Sequence, residues 1–115
     1  MRLKKFVFDL DCKVSIYVPS TNDVDVPVDN SEQVKSVIAE LSELFGGATA
    51  SNALGGWVCE NGNLVLEKVT VVYSFCSSAK LDANAERIIG ICENLKKEMS
   101  QESVTLEING QCKFV

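Results

Sequence analysis

Two apolar stripes of helical period stand in this chain between segments that alternate with period two, and that switching fixes the fold class. Val34, Val37, Ile38, Leu41, Leu44 and Phe45 recur at helical spacing and line one face. Asp29 stands where a cap belongs, Glu32 three positions on completes a capping-box pattern, and Gly46 sits where a helix ends in the left-handed conformation. The second stripe, Leu81, Ala85, Ile88, Cys92, Leu95 and Met99, steps 4-3-4-3-4 and predicts a helix over Leu81 to Ser100, with Asp82 and Glu86 at its positive end.

The remaining segments read as strands. Arg2 to Leu10 alternates, with Phe6, Phe8 and Leu10 on one face; Lys13 to Val18 alternates again, with Val14, Ile16 and Val18 facing inward and Pro19 ending the run. Ser20 to Asn30 is a polar loop with Pro27 and three aspartates. Ala48 to Glu60 is extended, and Asn61-Gly62 is a tight turn that in a two-residue hairpin pairs Cys59 with Leu64 and Trp57 with Leu66. The return strand, Leu64 to Cys76, puts Val65, Val69, Val71, Tyr73 and Phe75 on one face with Glu67 among them. Val104, Leu106 and Ile108 alternate, Asn109-Gly110 is a second tight turn, and Gln111 to Val115 closes the chain. The order ββαββαββ predicts one α+β domain over residues 1–115, an antiparallel sheet with two helices packed on one face.

Charge narrows the partners. A formal net charge of −5 argues against a nucleic-acid polymer and against anionic lipid, yet leaves room for a small anionic ligand in a local pocket. No run is long and apolar enough for a membrane span, and Asp9 and Asp11 follow the basic start too soon for a signal peptide, so the chain is expected to stay in the cytoplasm where it is made. Five widely spaced cysteines, Cys12, Cys59, Cys76, Cys92 and Cys112, form no CxxC pair, so they read as buried reduced thiols and no metal or cofactor is expected.

The sequence contains no histidine, which removes the commonest general base at neutral pH. Glu67 in the long strand and Glu102 after the second helix are the candidate carboxylates, and each also reads as an ordinary surface residue. No serine or cysteine nucleophile has a visible base. These residues point to a chain that binds rather than catalyses. Two glycine-rich stretches, Leu44 to Thr49 and Gly55-Gly56-Trp57, offer bare backbone to a ligand, although the first also serves as a helix stop. Tyr17, Trp57, Tyr73 and Phe75 are core candidates or stacking surfaces for a flat base. Of the two arginines, Arg2 and Arg87, the second lies early in the predicted second helix, either on a solvated face or ready for a phosphate.

Ile16-Tyr17-Val18-Pro19-Ser20-Thr21, Leu44 to Thr49, Gly56-Trp57, Leu64 to Phe75 and Gln101 to Val104 occur in that order, and together they resemble the first type of phage Thoeris anti-defence proteins. The resemblance covers about Ile16 to Ile108. It implies a small α+β sponge, assembled as a dimer or hexamer, that sequesters a cyclic ADP-ribose isomer or a cyclic di- or trinucleotide in the bacterial host cytoplasm without cleaving it. The residues it places near ligand are Pro19, Ser20 and Thr21, then Gly46, Gly47, Ala48 and Thr49, and Phe75; Tyr17, Phe45, Trp57, Asn84 and Arg87 complete the expected ligand-binding set. Family pockets use arginines, and here Arg87 alone is placed to serve. A protein-binding inhibitor or small regulatory subunit acting on a host protein is the alternative that an acidic surface and a flat sheet suit, and a hydrolase using Glu67 or Glu102 is a third.

Overall fold

The computed structural model describes residues 6–22 and 26–115. Arg2 to Lys5 of the expected first strand, and Asp23 and Asp25 of the polar loop, lie outside the described residues.

The chain runs β1 (Cys12–Pro19), β2 (Thr21–Asn22), β3 (Val26–Pro27), α1 (Ser31–Phe45), β4 (Thr49–Val58), β5 (Leu64–Cys76), α2 (Ser78–Ala83), α3 (Ala85–Glu98), β6 (Thr105–Ile108) and β7 (Gln111–Phe114). Five strands form one antiparallel sheet in the order β4-β5-β1-β6-β7, while β2 and β3 pair only with each other. This is the expected α+β class. Val14, Ile16 and Val18 point inward at 0% exposure, as their alternation predicts. They meet Val72, Val104 and Leu106 from the sheet, Val37, Leu41 and Leu44 from α1, and Ile88, Ile91, Cys92 and Leu95 from α3. Among the described residues no helix is long and apolar enough to cross a membrane.

Helix α1 ends as expected: Gly46 adopts φ 90° and its amide reaches the Ser42 carbonyl. Its start differs. Asn30 is the cap residue, and Asp29 instead accepts the Ser31 amide at 3.0 Å, so the Asp29–Glu32 capping box does not form. The second helix begins at Ser78, where the Ser77 hydroxyl accepts the Lys80 amide, and breaks at Asn84. There the Asn84 side chain donates to the Lys80 carbonyl, competing with a continuous helix. The stripe survives as Ile88, Cys92, Leu95 and Met99, all buried, while Leu81 is half-buried and Ala85 exposed.

Two strand expectations are corrected, and the direction of a face left open is settled. Phe6 to Leu10 form no strand and are exposed. Strand β1, the next strand in the chain, has both edges taken, by β5 on one side and β6 on the other. The β4–β5 hairpin has three loop residues, not two. Cys59 and Asn63 pair through Cys59 N–H to Asn63 O at 2.8 Å, and Gly62 takes φ 85° at the last loop position. Trp57 therefore faces Val65 rather than Leu66. The Asn109-Gly110 turn keeps its expected two residues, both with positive φ. Finally, the face of β5 that carries Glu67, Val69, Val71, Tyr73 and Phe75 is the open one; Thr70, Val72, Ser74 and Cys76 face the helices.

The cysteines divide. Cys12, Cys76 and Cys92 are buried free thiols, as expected, whereas Cys59 is half-buried and Cys112 exposed. Desolvation pushes the Cys92 thiol up to about 12, the behaviour of an inert core residue.

Candidate functional site

Helices cover one face of the sheet and leave the other open. Cross-strand rows run over that open face: Ser51, Val71 and Tyr17; Ala53, Val69 and Pro19; Gly55 and Glu67. The β4–β5 ribbon continues past the helices, and all ten residues of β4 are exposed. Here a cavity of about 250 Å³ is lined by Tyr17, Pro19, Gly55, Gly56, Trp57, Glu67, Val69, Gln101, Ser103, Val104 and Thr105. A neighbouring cavity of about 590 Å³ is lined by Ser20, Thr21, Pro27, Trp57, Val65, Leu66, Glu67 and Lys68. Trp57 and Glu67 line both, so they stand where the two cavities adjoin and together form the cleft region considered below.

Local structure explains why Glu67 is reachable. Its partner across the ladder is Gly55, which has no side chain to cover it. A Cβ built there meets nothing nearer than the Glu67 carbonyl at 3.8 Å, so the glycine leaves open space above the carboxylate rather than relieving a clash. Gly56 differs: its Cβ would come within 3.1 Å of a Leu66 methyl and 3.3 Å of the Val65 carbonyl. On the other side of Glu67 the Thr21 hydroxyl donates to Oε1 at 3.0 Å. Trp57, 45% exposed, presents an indole beside the carboxylate.

A second carboxylate lies farther along the open face. Tyr17 donates its hydroxyl to Glu107 Oε1 at 2.9 Å. That hydrogen bond raises the Tyr17 pKa above its ordinary value, because the neutral phenol is the form that donates, and burial adds to the effect. Cleft and flank together thus offer two carboxylates held by hydroxyls, an aromatic face and a bare backbone. That set suits a cationic ligand with a flat base better than an anion.

The residues expected near ligand fall into two groups. Tyr17, Pro19, Ser20, Thr21 and Trp57 line the cleft. The others sit elsewhere. Phe45 and Ala48 pack against the core, Gly46 caps α1, and the Gly47 carbonyl accepts the Ser74 hydroxyl at 2.6 Å. Thr49 pairs with Tyr73, eight residues along β4 from Trp57, a separation of about 27 Å at 3.4 Å per residue. Phe75 stacks edge-on against Tyr73 at 5.9 Å, with the Lys13 ammonium 5.7 Å from its ring. Asn84 bonds the Lys80 carbonyl, and Arg87 meets Glu43 at 3.7 Å on the exposed surface. Of the two candidate carboxylates, Glu67 is in the cleft and Glu102 is exposed outside it. Gly55 belongs to the Gly55-Gly56-Trp57 stretch read as bare backbone for a ligand, whereas Val69, Gln101, Ser103, Thr105 and Glu107 are not named as ligand residues from the sequence and need the sheet order.

The whole fold is shared with solved structures. A phage SAM lyase in complex with S-methyl-5′-thioadenosine superposes with a TM-score of 0.66 at 20% identity, covering 96% of this chain and 95% of that one. A phage SAM lyase in its apo state gives a TM-score of 0.66 at 18% identity, covering 99% and 95%. No family model matches the sequence, and neither does any curated protein. The likeness establishes the fold and does not single out the Thoeris sponges. It also corrects the expectation of a chain that binds without catalysing. Both neighbours are lyases, so the fold is one that carries an enzyme.

Proposed function

We propose that the chain is a small phage lyase that holds S-adenosylmethionine in the open-face cleft and releases S-methyl-5′-thioadenosine. The observation that carries this reading is Glu67, uncovered by Gly55 and flanked by Trp57 where the two cavities meet. A sulfonium nucleoside brings a flat base and a positive charge. The indole takes the first by stacking and the carboxylate takes the second. The shared fold with a lyase holding that thioether product supports the same choice.

The chemistry asks little of a protein. The bond between sulfur and the Cγ carbon breaks, its electron pair stays on sulfur, and the sulfonium becomes a neutral thioether. The departing group is already activated by its charge, so no histidine is needed to protonate it. Glu67 holds the cation before reaction and takes a proton from the neighbouring carbon as the bond breaks, leaving an alkene on the amino-acid fragment. Water and redox partners play no part in that balance.

A cyclic ADP-ribose isomer or a cyclic oligonucleotide offers a base to Trp57 as well, and the cleft-lining part of the motif resemblance favours it: Tyr17, Pro19, Ser20 and Thr21. Such ligands bring phosphates, however. Among the residues lining both cavities Lys68 is the one cation, and Arg87 lies elsewhere paired with Glu43. Charge therefore favours the sulfonium.

The test incubates the protein, at a hundredth of the ligand concentration, with S-adenosylmethionine or a cyclic ADP-ribose isomer and follows both by mass spectrometry. Thioadenosine accumulating over many turnovers is the expected result. Untouched S-adenosylmethionine beside stoichiometric depletion of the cyclic nucleotide would sink the proposal.

A further inference from the structure

We infer that Thr21 is a positioning residue for Glu67, its hydroxyl aiming the carboxylate into the cleft while Gln101 fixes the backbone that carries it. The inference rests on the reading of Glu67 given above. Thr21 borders the cleft but is only 8% exposed, so little of it is open to a ligand. Its hydroxyl proton is committed to Glu67 Oε1 at 3.0 Å. Glu67 sits on the open face of β5, away from the helices, so helix packing does not fix its rotatable bonds. A donor from outside the ribbon selects one orientation.

The donor is itself held. The Gln101 side-chain amide donates to the Thr21 carbonyl at 2.9 Å and to the Met99 carbonyl at 3.0 Å, joining the end of α3 to β2. The preceding residue, Ser20, places its hydroxyl on the Lys68 carbonyl, next to Glu67 in β5. Thr21 also pairs with Pro27 across the small β2–β3 ladder. The backbone is thus tied to three elements, and the hydroxyl transmits that order to a single carboxylate oxygen.

A purely structural threonine would matter for stability and for every ligand alike. A positioning threonine matters for the charged ligand alone. Trp57 is the one tryptophan of the chain and lines the cleft, so its fluorescence reports binding. The experiment measures affinities for S-adenosylmethionine and for neutral S-methyl-5′-thioadenosine in wild type, Thr21→Val, Thr21→Ser and Gln101→Met. Thr21→Val should lose the preference for the sulfonium over the thioether by about 10- to 100-fold, the range of one hydrogen bond to a charged group. Thr21→Ser should restore it. Gln101→Met should shift it the same way by a smaller factor, and it keeps the test decisive if the valine variant does not fold. A valine variant that keeps the preference, or a serine variant as poor as valine, overturns the positioning role alone. A wild type that does not distinguish the two ligands overturns both this role and the reading of Glu67.

Discussion

Strand β5 has two halves that differ in what covers them. From Thr70 to Cys76 every second side chain lies under the helices, with Val72 at 0% and Cys76 at 2% exposure. From Leu64 to Lys68 the same face is bare: Leu64 is 64% exposed and Leu66 59%. Pleat does not separate the halves, but partners do: Val69 to Cys76 pair with β1, whereas Leu64 to Lys68 pair with β4 alone. The helices stop there too, since α1 starts at Ser31 with its cap Asn30 bonded to the Thr70 hydroxyl and does not run along the hairpin end. The consequence is functional. A carboxylate turned toward the helices would have to lose its water without a partner, at a cost of several kcal/mol. On the open face Glu67 keeps solvent on one side and takes the Thr21 hydroxyl on the other.

The sharpest way to break this contrast is to remove the charge from the bare half. Glu67→Gln should lower thioadenosine formation by about 10²- to 10⁴-fold, the range for removing a proton-transferring group. Its melting temperature should stay where it was, since surface changes outside the core fall within about 0.5 kcal/mol. A comparable rate in the variant would return the site to an open question of binding.

The complementary pair of substitutions reads stability. Val72→Ala in the covered half should cost about 1.5–3 kcal/mol by urea unfolding, the range for losing a fully buried valine side chain together with some cavity. Leu66→Ala in the bare half should fall within about 0.5 kcal/mol. Equal costs at the two positions would mean that the ribbon is covered in solution by something the single chain does not supply.

Much of the covered half was legible in the sequence. Val14, Ile16 and Val18 alternate, the α1 stripe repeats at helical spacing, and Gly46 stops it; each is a local signal read at short range. What failed was non-local. Phe6, Phe8 and Leu10 alternate as well as any strand, yet the edges of β1 are filled by residues 76 to 69 and 108 to 106. The hairpin register turned on Gly62 entering the left-handed region, which moved Trp57 opposite Val65. The site is still less local. Thr21 and Glu67 are 46 residues apart, and Gln101 and Thr21 are 80 apart. Glu67 could be named as a candidate but not distinguished from a surface glutamate. The expected hairpin register already puts Gly56 opposite it; the observed register makes the partner Gly55 and sets Trp57 on the same face.

Trp57 sharpens the contrast further. At 45% exposure its removal should hardly affect folding, yet Trp57→Ala should weaken thioether binding by about 10-fold, the lower part of the range for a base stacked on an aromatic ring. Equilibrium dialysis with S-methyl-5′-thioadenosine reads this, since the variant has lost its fluorophore. The corresponding change at the far end of the open face, Phe75→Ala, should leave that affinity alone, because Phe75 stacks on Tyr73 and lies outside both cavities.

The smallest effect concerns the thiols and tests the covered side alone. Burial raises the Cys92 pKa from 9.0 to about 12, and it raises Cys76 in the same direction. The sign follows from linkage. A thiol whose folded pKa lies above its unfolded value contributes stability that is fully present below about pH 9 and is lost as the pH rises towards 12. The melting temperature should therefore decline across that window, and Cys92→Ala should flatten the decline while lowering stability at neutral pH through the lost volume. Cys112 is exposed and should react first with a thiol reagent under native conditions; Cys92 should react only on unfolding. Early modification of Cys92 would show that α3 opens locally, and would move the boundary between the covered and uncovered parts of the sheet from the end of the helices into the core itself.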